Sequence, residues 1–268
     1  MPSTYAHYRF GREVLDALPT RLRAVIKVHP QLFLIGLHGP DIFFYYNPFR
    51  DNPLGALGGA LHDAPAEDFF ETARVRIREA ATPHERDAAL SYALGFLCHF
   101  ALDHACHGYI EEYIAETGVS HNEIETEFDR ALMVHDGLRP ICQQLTDHLV
   151  PSEENAAVIA PFFPQLTAAQ VRRSIASMVR FNRLLVAPQP AKRTLVCGAM
   201  LLSGHYRSLR AHMISRRANP LCRASNKRLY ALYREARLQA CDLLEEYDSA
   251  VVSGAPLNPY LRHTFGPA

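Results

Sequence analysis

The chain has no excess charge of either sign, no paired cysteines and no long apolar run, and each absence narrows what it can do. Its 28 Lys+Arg balance 28 Asp+Glu, so the net charge offers no footprint for duplex nucleic acid and no polybasic patch for anionic lipid. The 6 cysteines, at positions 98, 106, 142, 197, 222 and 241, include no CxxC pair. Most fall in apolar stretches and read as buried free thiols of a reducing compartment, not as a disulfide framework. No apolar stretch is long enough to span a bilayer, and no basic segment followed by an apolar one opens the chain. A cytoplasmic protein with at most peripheral membrane contact is the expectation. Strand-like alternation, internal repeats and low-complexity segments are also missing.

Helical punctuation is what remains. With 268 residues, 48% hydrophobic and 21% charged, the chain can bury a substantial core as one all-α domain over residues 1–268. A short helix is expected from Arg12 to Leu18, ended by Pro19 and preceded by His7. Another runs from Arg21 to Val28 and stops before Pro30. Residues 38–59 read as a loop layer, with Gly39-Pro40-Asp41, the aromatic run Phe43 to Tyr46, Asn47-Pro48 and Asn52-Pro53. Pro65 opens a helix to about Ala80. Thr82-Pro83 starts a long central helix that Gly118 closes after Thr117, with Gly95 and Gly108 as possible bends. Ser120-x-x-Glu123 is a capping-box pattern that places His121 at the first helical position. A loop follows from Val150 to Pro164. Thr167-x-x-Gln170 caps a helix to about Val186, two more lie near Lys192 to Arg217 and Ser225 to Val251, and the tail from Gly254 is irregular.

Chemistry concentrates on the central helix. His99, Asp103 and His107 recur every four residues and so share one face. By composition a single His-x3-Asp/Glu pair is expected about 1.5 times by chance, but the triplet only about 0.08 times. Residues eight apart are roughly 12 Å apart along the axis, too far for one tetrahedral ion with ligand bonds of about 2 Å. Asp103, between the two histidines with two oxygens, is the natural bridging ligand. A buried His/Asp hydrogen-bond network is the alternative. His121-x3-Glu125 adds a second pair whose side chains face the same way.

The order His7, Gly-Pro-Asp41-Ile-Phe-Phe-Tyr-Tyr, His62-Asp63, the stripe at 99, 103 and 107, and His121-x3-Glu125 resembles the zinc-dependent phospholipase C family, related in fold to single-strand-specific zinc nucleases. The resemblance covers roughly residues 1–130. It implies that Asp41, His62, His99 and Asp103 hold one zinc and that His107, His121 and Glu125 hold a second. Asp103 would also reach a third ion, with His7 as its remaining ligand, giving two or three Zn2+ in all. It further implies Asp41 as general base in attack on a phosphodiester. Two positions depart from the family pattern. There is no tryptophan to supply the N-terminal ligand of secreted members, which leaves Pro2 as a possible terminal amine. Ile42 also stands where choline-specific members place an aromatic.

Other histidines read as structural. His104 is about 100° around the helix from the stripe, and His38 reads as a loop residue beside the site. His135, His148, His205, His212 and His263 have no spacing partner. The basic run Arg207 to Arg217 reads as a solvated face, with membrane contact the lesser reading. The expected activity is hydrolysis of a phospholipid phosphodiester to diacylglycerol and a phosphorylated head group. The alternatives are the same chemistry on another phosphate ester or single-stranded nucleic acid, or a non-catalytic helical protein stapled by metal.

Overall fold

A computed structural model describes residues 4–48, 50–204 and 206–266, and no strand occurs among them. The α-helices are α1 (Thr4–Ala17), α2 (Thr20–Val28), α3 (Pro30–Gly36), α4 (Pro53–Asp63), α5 (Ala66–Glu79) and α6 (Pro83–Thr117). They continue with α7 (His121–His135), α8 (Glu153–Ile159), α9 (Ala168–Leu185), α10 (Pro190–Leu202), α11 (Tyr206–Ala211) and α12 (Arg223–Ser253). Pro2, Phe49, His205 and Pro267 lie outside the described residues. The all-α class expected from the sequence is what the chain adopts. No helix among the described residues is long and apolar enough to cross a membrane, and all six cysteines are free.

Helix α6 is the axis of the molecule. Thr82 Oγ1 accepts from the Glu85 N–H and Glu85 Oε2 accepts from the Thr82 N–H, a closed capping box that starts the helix. Gly118 ends it in the left-handed conformation, φ 70°. Residues 88–103 of α6 are buried without interruption, because α1, α2, α3, α5, α7, α8 and α12 pack around it. Gly95 is a point of close approach. A Cβ there would overlap the Phe33 carbonyl oxygen of α3, just as one on Gly36 would overlap the Tyr92 carbonyl. The two glycines let α3 and α6 cross backbone to backbone.

Several expectations are corrected. Helix α1 begins eight residues before Arg12, so His7 lies inside it and is buried. Within residues 38–59, Gly39–Tyr45 form a 3₁₀ helix, and Asn52-Pro53 is a helix start instead of a turn. Asn52 Oδ1 accepts from the Leu54 and Gly55 N–H groups, with Pro53 at the first helical position. Pro30 likewise opens α3. The segment expected as a loop up to Pro164 contains α8, whose Ser152 Oγ accepts from the Asn155 N–H. The stretch from Lys192 to Arg217 is two helices, α10 and α11. Ser120 occupies the N-cap position of α7 but makes no side-chain cap: the Glu123 N–H donates to the Ser120 carbonyl instead, and the Glu123 carboxylate accepts from the Asn219 amide. The Thr167–Gln170 capping box forms as read.

The two α6 glycines are expected to respond oppositely to substitution. Gly95→Ala should destabilise by about 2–3 kcal/mol through overlap with α3. A Cβ on Gly108 meets nothing, so Gly108→Ala should stabilise by up to about 1 kcal/mol. Urea denaturation of both variants reads the difference, and equal responses would refute the close crossing.

Candidate metal centre

Helix α6 presents His99, Asp103 and His107 on one face, and the rest of the chain closes around them. Asp103 is buried, and its two oxygens look to opposite sides. Oδ1 faces His7 Nε2 at 3.1 Å and His107 Nε2 at 3.6 Å. Oδ2 faces His99 Nε2 at 3.0 Å and His62 Nε2 at 3.7 Å. Asp103 therefore stands among four imidazoles.

Each partner reaches this point through local structure. His7 is delivered by α1, whose first turn is capped from a distance. The Tyr5 and Ala6 N–H groups donate to Asp129 Oδ2 and Oδ1 at 3.0 and 2.8 Å, so a fully buried carboxylate of α7 ties down the helix start. His7 then stacks on His99 with ring centroids 4.2 Å apart. Asp41 comes from the 3₁₀ turn, which passes directly over His99. Gly39 makes this passage, with φ 46° and no room for a Cβ against the His99 ring. Asp41 Oδ1 lies 3.3 Å from His62 Nε2. The expected pair on α7 forms too: Glu125 Oε1 lies 3.2 Å from His121 Nε2 and 3.5 Å from His107 Nε2.

The eight residues singled out from the sequence thus converge in three groups: Asp41/His62/His99, His7/His99/Asp103 and His107/His121/Glu125. Within each group the ligand atoms lie within 4.8 Å of one another. His99 enters two groups, and Asp103 belongs with His7 as well as facing His62, so no single ligand set owns either residue.

The donor set fits a divalent metal. His62 Nδ1 lies 2.7 Å from the Gly58 carbonyl and His99 Nδ1 lies 3.2 Å from the Leu37 carbonyl. A carbonyl only accepts, so Nδ1 carries a proton in both rings, and Nε2 is the nitrogen whose lone pair the neutral ring offers to a metal. His121 Nδ1 is held in the same way by Glu111 Oε1 at 3.1 Å. Although fully buried, His99 Nε2 has no hydrogen-bond partner, because its approach to Asp103 lacks hydrogen-bonding geometry. A buried orphan nitrogen aimed at a carboxylate is what a shared cation would satisfy. Imidazole and carboxylate together suit zinc.

Electrostatics point the same way. Burial alone would raise the Asp103 carboxyl, but His99, His107 and His7 outweigh it and hold the group well below its usual range. Glu125 is likewise held low against burial by His121 and His107. Burial and His99 lower His7. His62 goes the other way: burial lowers it, yet the hydrogen bond and charge of Asp41 prevail and push it up to about 9.

These groups open onto a cavity of about 830 Å3. Its remaining wall was not legible in the sequence. The tail beyond Gly254 folds back, with the Phe265 N–H donating to the His62 carbonyl at 3.2 Å. The Phe265 ring packs on His62 and His99, and Thr264 and Gly266 line the opening. His212 lines it from the end of α11. Of the aromatic run, only Phe44 reaches this wall, stacked on His62 at 5.6 Å. Ile42, Phe43 and Tyr45 are core. His104 binds the Thr264 carbonyl and stacks on His263. His38 is buried against His148, Nε2 to Nε2 2.8 Å, and does not line the cavity.

A family model described as zinc dependent phospholipase C matches residues 6–174, more than half of the chain and a span that includes all eight residues. No curated protein and no solved structure matches.

Two outcomes are expected. In the metal-free protein the raised His62 contributes stability that is complete below its ordinary value of 6.5 and is lost as pH rises through about 9. Zinc needs the neutral ring, so the zinc-induced rise in melting temperature should grow across the same window, with protons released in calorimetric titration. A pH-independent zinc effect would count against His62 as a ligand. Asp129→Ala should cost about 1–3 kcal/mol in chemical denaturation and also reduce bound zinc, measured by elemental analysis, since it frees the helix start that positions His7.

Proposed function

The chain belongs to the zinc-dependent phospholipase C family, and from that membership we propose that it is a zinc phosphodiesterase that hydrolyses a phospholipid to diacylglycerol and a phosphorylated head group. The observation that carries this reading is the convergence of three His/carboxylate groups on one open cavity. A closed structural site would have no such opening. Zinc, when bound, supplies a Lewis acid for the phosphoryl oxygen and lowers the pKa of water.

The chain's own residues do the rest. Asp41 is the most accessible of the three carboxylates, its side chain 14% exposed against 6% for Asp103 and Glu125. It lines the cavity, and we assign it as the base that takes the proton of the attacking water. Asp103 and Glu125, buried and held ionised, supply fixed negative charge that keeps the imidazoles oriented. The cavity is of a size that takes a small polar ligand. Phe44 gives it one apolar wall, and Asn122, His212 and Thr264 give polar groups for a phosphorylated head group.

Hydrolysis of another phosphate ester at the same centre is the second reading. It is favoured by Ile42, which is fully buried and leaves Phe44 as the only aromatic carbocycle on the described cavity wall.

Zinc-loaded protein offered short-chain phosphatidylcholine, phosphatidylethanolamine and phosphatidylglycerol should release diacylglycerol in a chelator-sensitive reaction. Asp41→Asn should lower kcat/KM by at least about a hundredfold. Cleavage of nucleotides or chromogenic diesters with no phospholipid turnover would sink the phospholipid assignment and leave the second reading.

A further inference from the structure

The even net charge conceals a one-sided distribution. Residues 155–234 hold fourteen of the chain's 28 Lys+Arg and none of its 28 Asp+Glu. Most of this stretch lies beyond the segment that matches the family. Within it, α10 and α11 help build a small hydrophobic cluster of their own, with Leu185, Ala187, Val196, Met200 and Met213 at its centre.

Outside that cluster the surface is unusually apolar. Leu184, Leu195, Leu201 and Leu202 are 50, 75, 62 and 92% exposed. Leu195, Ala199 and Leu202 recur at i, i+4 and i+7 and so form one stripe of α10. Leu184, Leu195 and Ala199 line an apolar groove of about 280 Å3 together with Phe181 and Leu209. Exposed arginines stand close to it along the chain: Arg180 is one turn before Leu184 on α9, Arg183, the neighbour of Leu184, pairs with exposed Asp147 at 3.3 Å, and Arg207, two residues before Leu209, lines an adjoining stretch of α11.

We infer that this face, the exposed leucines of α9 and α10 together with the exposed Arg180, Arg183 and Arg207 of α9 and α11, docks on an anionic lipid surface. Aliphatic side chains that enter the acyl boundary and cationic ones that meet lipid phosphates are the two components of interfacial binding. A single-stranded nucleic acid would use the arginines but wants exposed aromatic rings for stacking, and the exposed apolar groups here are leucines. A two-fold dimer through this face would set the same basic stretch against itself.

The face also adjoins the metal cavity. Phe181 of the groove meets the His212 ring edge-on at 6.4 Å, and His212 lines the cavity. Docking would therefore bring lipid to within a side-chain layer of the proposed chemistry. The inference extends the phospholipid reading, while the binding itself needs no hydrolysis.

Sedimentation with vesicles of phosphatidylcholine alone and of phosphatidylcholine mixed with phosphatidylglycerol tests it. The full chain should bind the mixed vesicles, and less so at high salt. R180A/R207A should weaken binding about thirtyfold, and L195D/L202D by at least about tenfold. Both variants should keep the wild-type melting temperature and turnover of short-chain monomeric substrate. Binding without phospholipid turnover would support the docking face and sink the substrate reading. Turnover of monomeric substrate with no vesicle binding would overturn the docking face alone. Binding that ignores both variants, or a dimer in sedimentation velocity that L195D/L202D abolishes, would also overturn it.

Discussion

A buried carboxylate surrounded by four imidazoles is the constraint on which the rest of this structure depends. Ionised Asp103 inside a helical bundle is unfavourable unless its charge is answered at short range, and the elements gathered on α6 supply that answer. Helix α1 brings His7, α4 brings His62, and α6 itself brings His99 and His107. Asp41 and Glu125 extend the same alternation of acid and imidazole to either side. Without metal the charge is answered by protons, as the raised His62 indicates. With metal those protons leave, so binding and protonation compete for one set of lone pairs.

Holding such a cluster requires that its supports not yield. Backbone contact between α3 and α6 at Gly36 and Gly95 stiffens the helix that carries the stripe, and the Leu37 carbonyl, one residue past α3, orients His99. Asp129 fastens the start of α1. The C-terminal tail closes the far side through Phe265. The centre is therefore held by residues from both ends of the chain, although its ligands all come from the first half. Charge is divided in the opposite sense: the ligand half is acid-rich, while residues 155–234 carry only basic groups. A neutral total gave no hint of this, because a sum discards position.

The parts legible in the sequence were those set by local rules. The helix start at Thr82-Pro83, the capped start at Thr167 and the stop at Gly118 depend on residues within one turn, and they formed as read. Ser120 obeyed the same pattern without forming the capping box: the Glu123 N–H went to the Ser120 carbonyl, and the Glu123 carboxylate found a partner 96 residues away in Asn219. Asn52-Pro53 and Ser152 read as turn or loop residues because turn and N-cap chemistry use the same side chains. Only the packing of the downstream residues selects the helix.

By itself the sequence determined that His99, Asp103 and His107 share a face, because helical period places them there whatever the fold. It also determined that His121 and Glu125 pair, and that the fold is all-α. Tertiary structure alone decided how the ligands divide. That His99 serves two groups, that Asp103 turns one oxygen to each side, that Phe265 packs on His99 and that His212 and Thr264 line the cavity are all set by contacts between segments far apart in the chain. Spacing encodes direction within one helix and carries no information about which helix lies opposite.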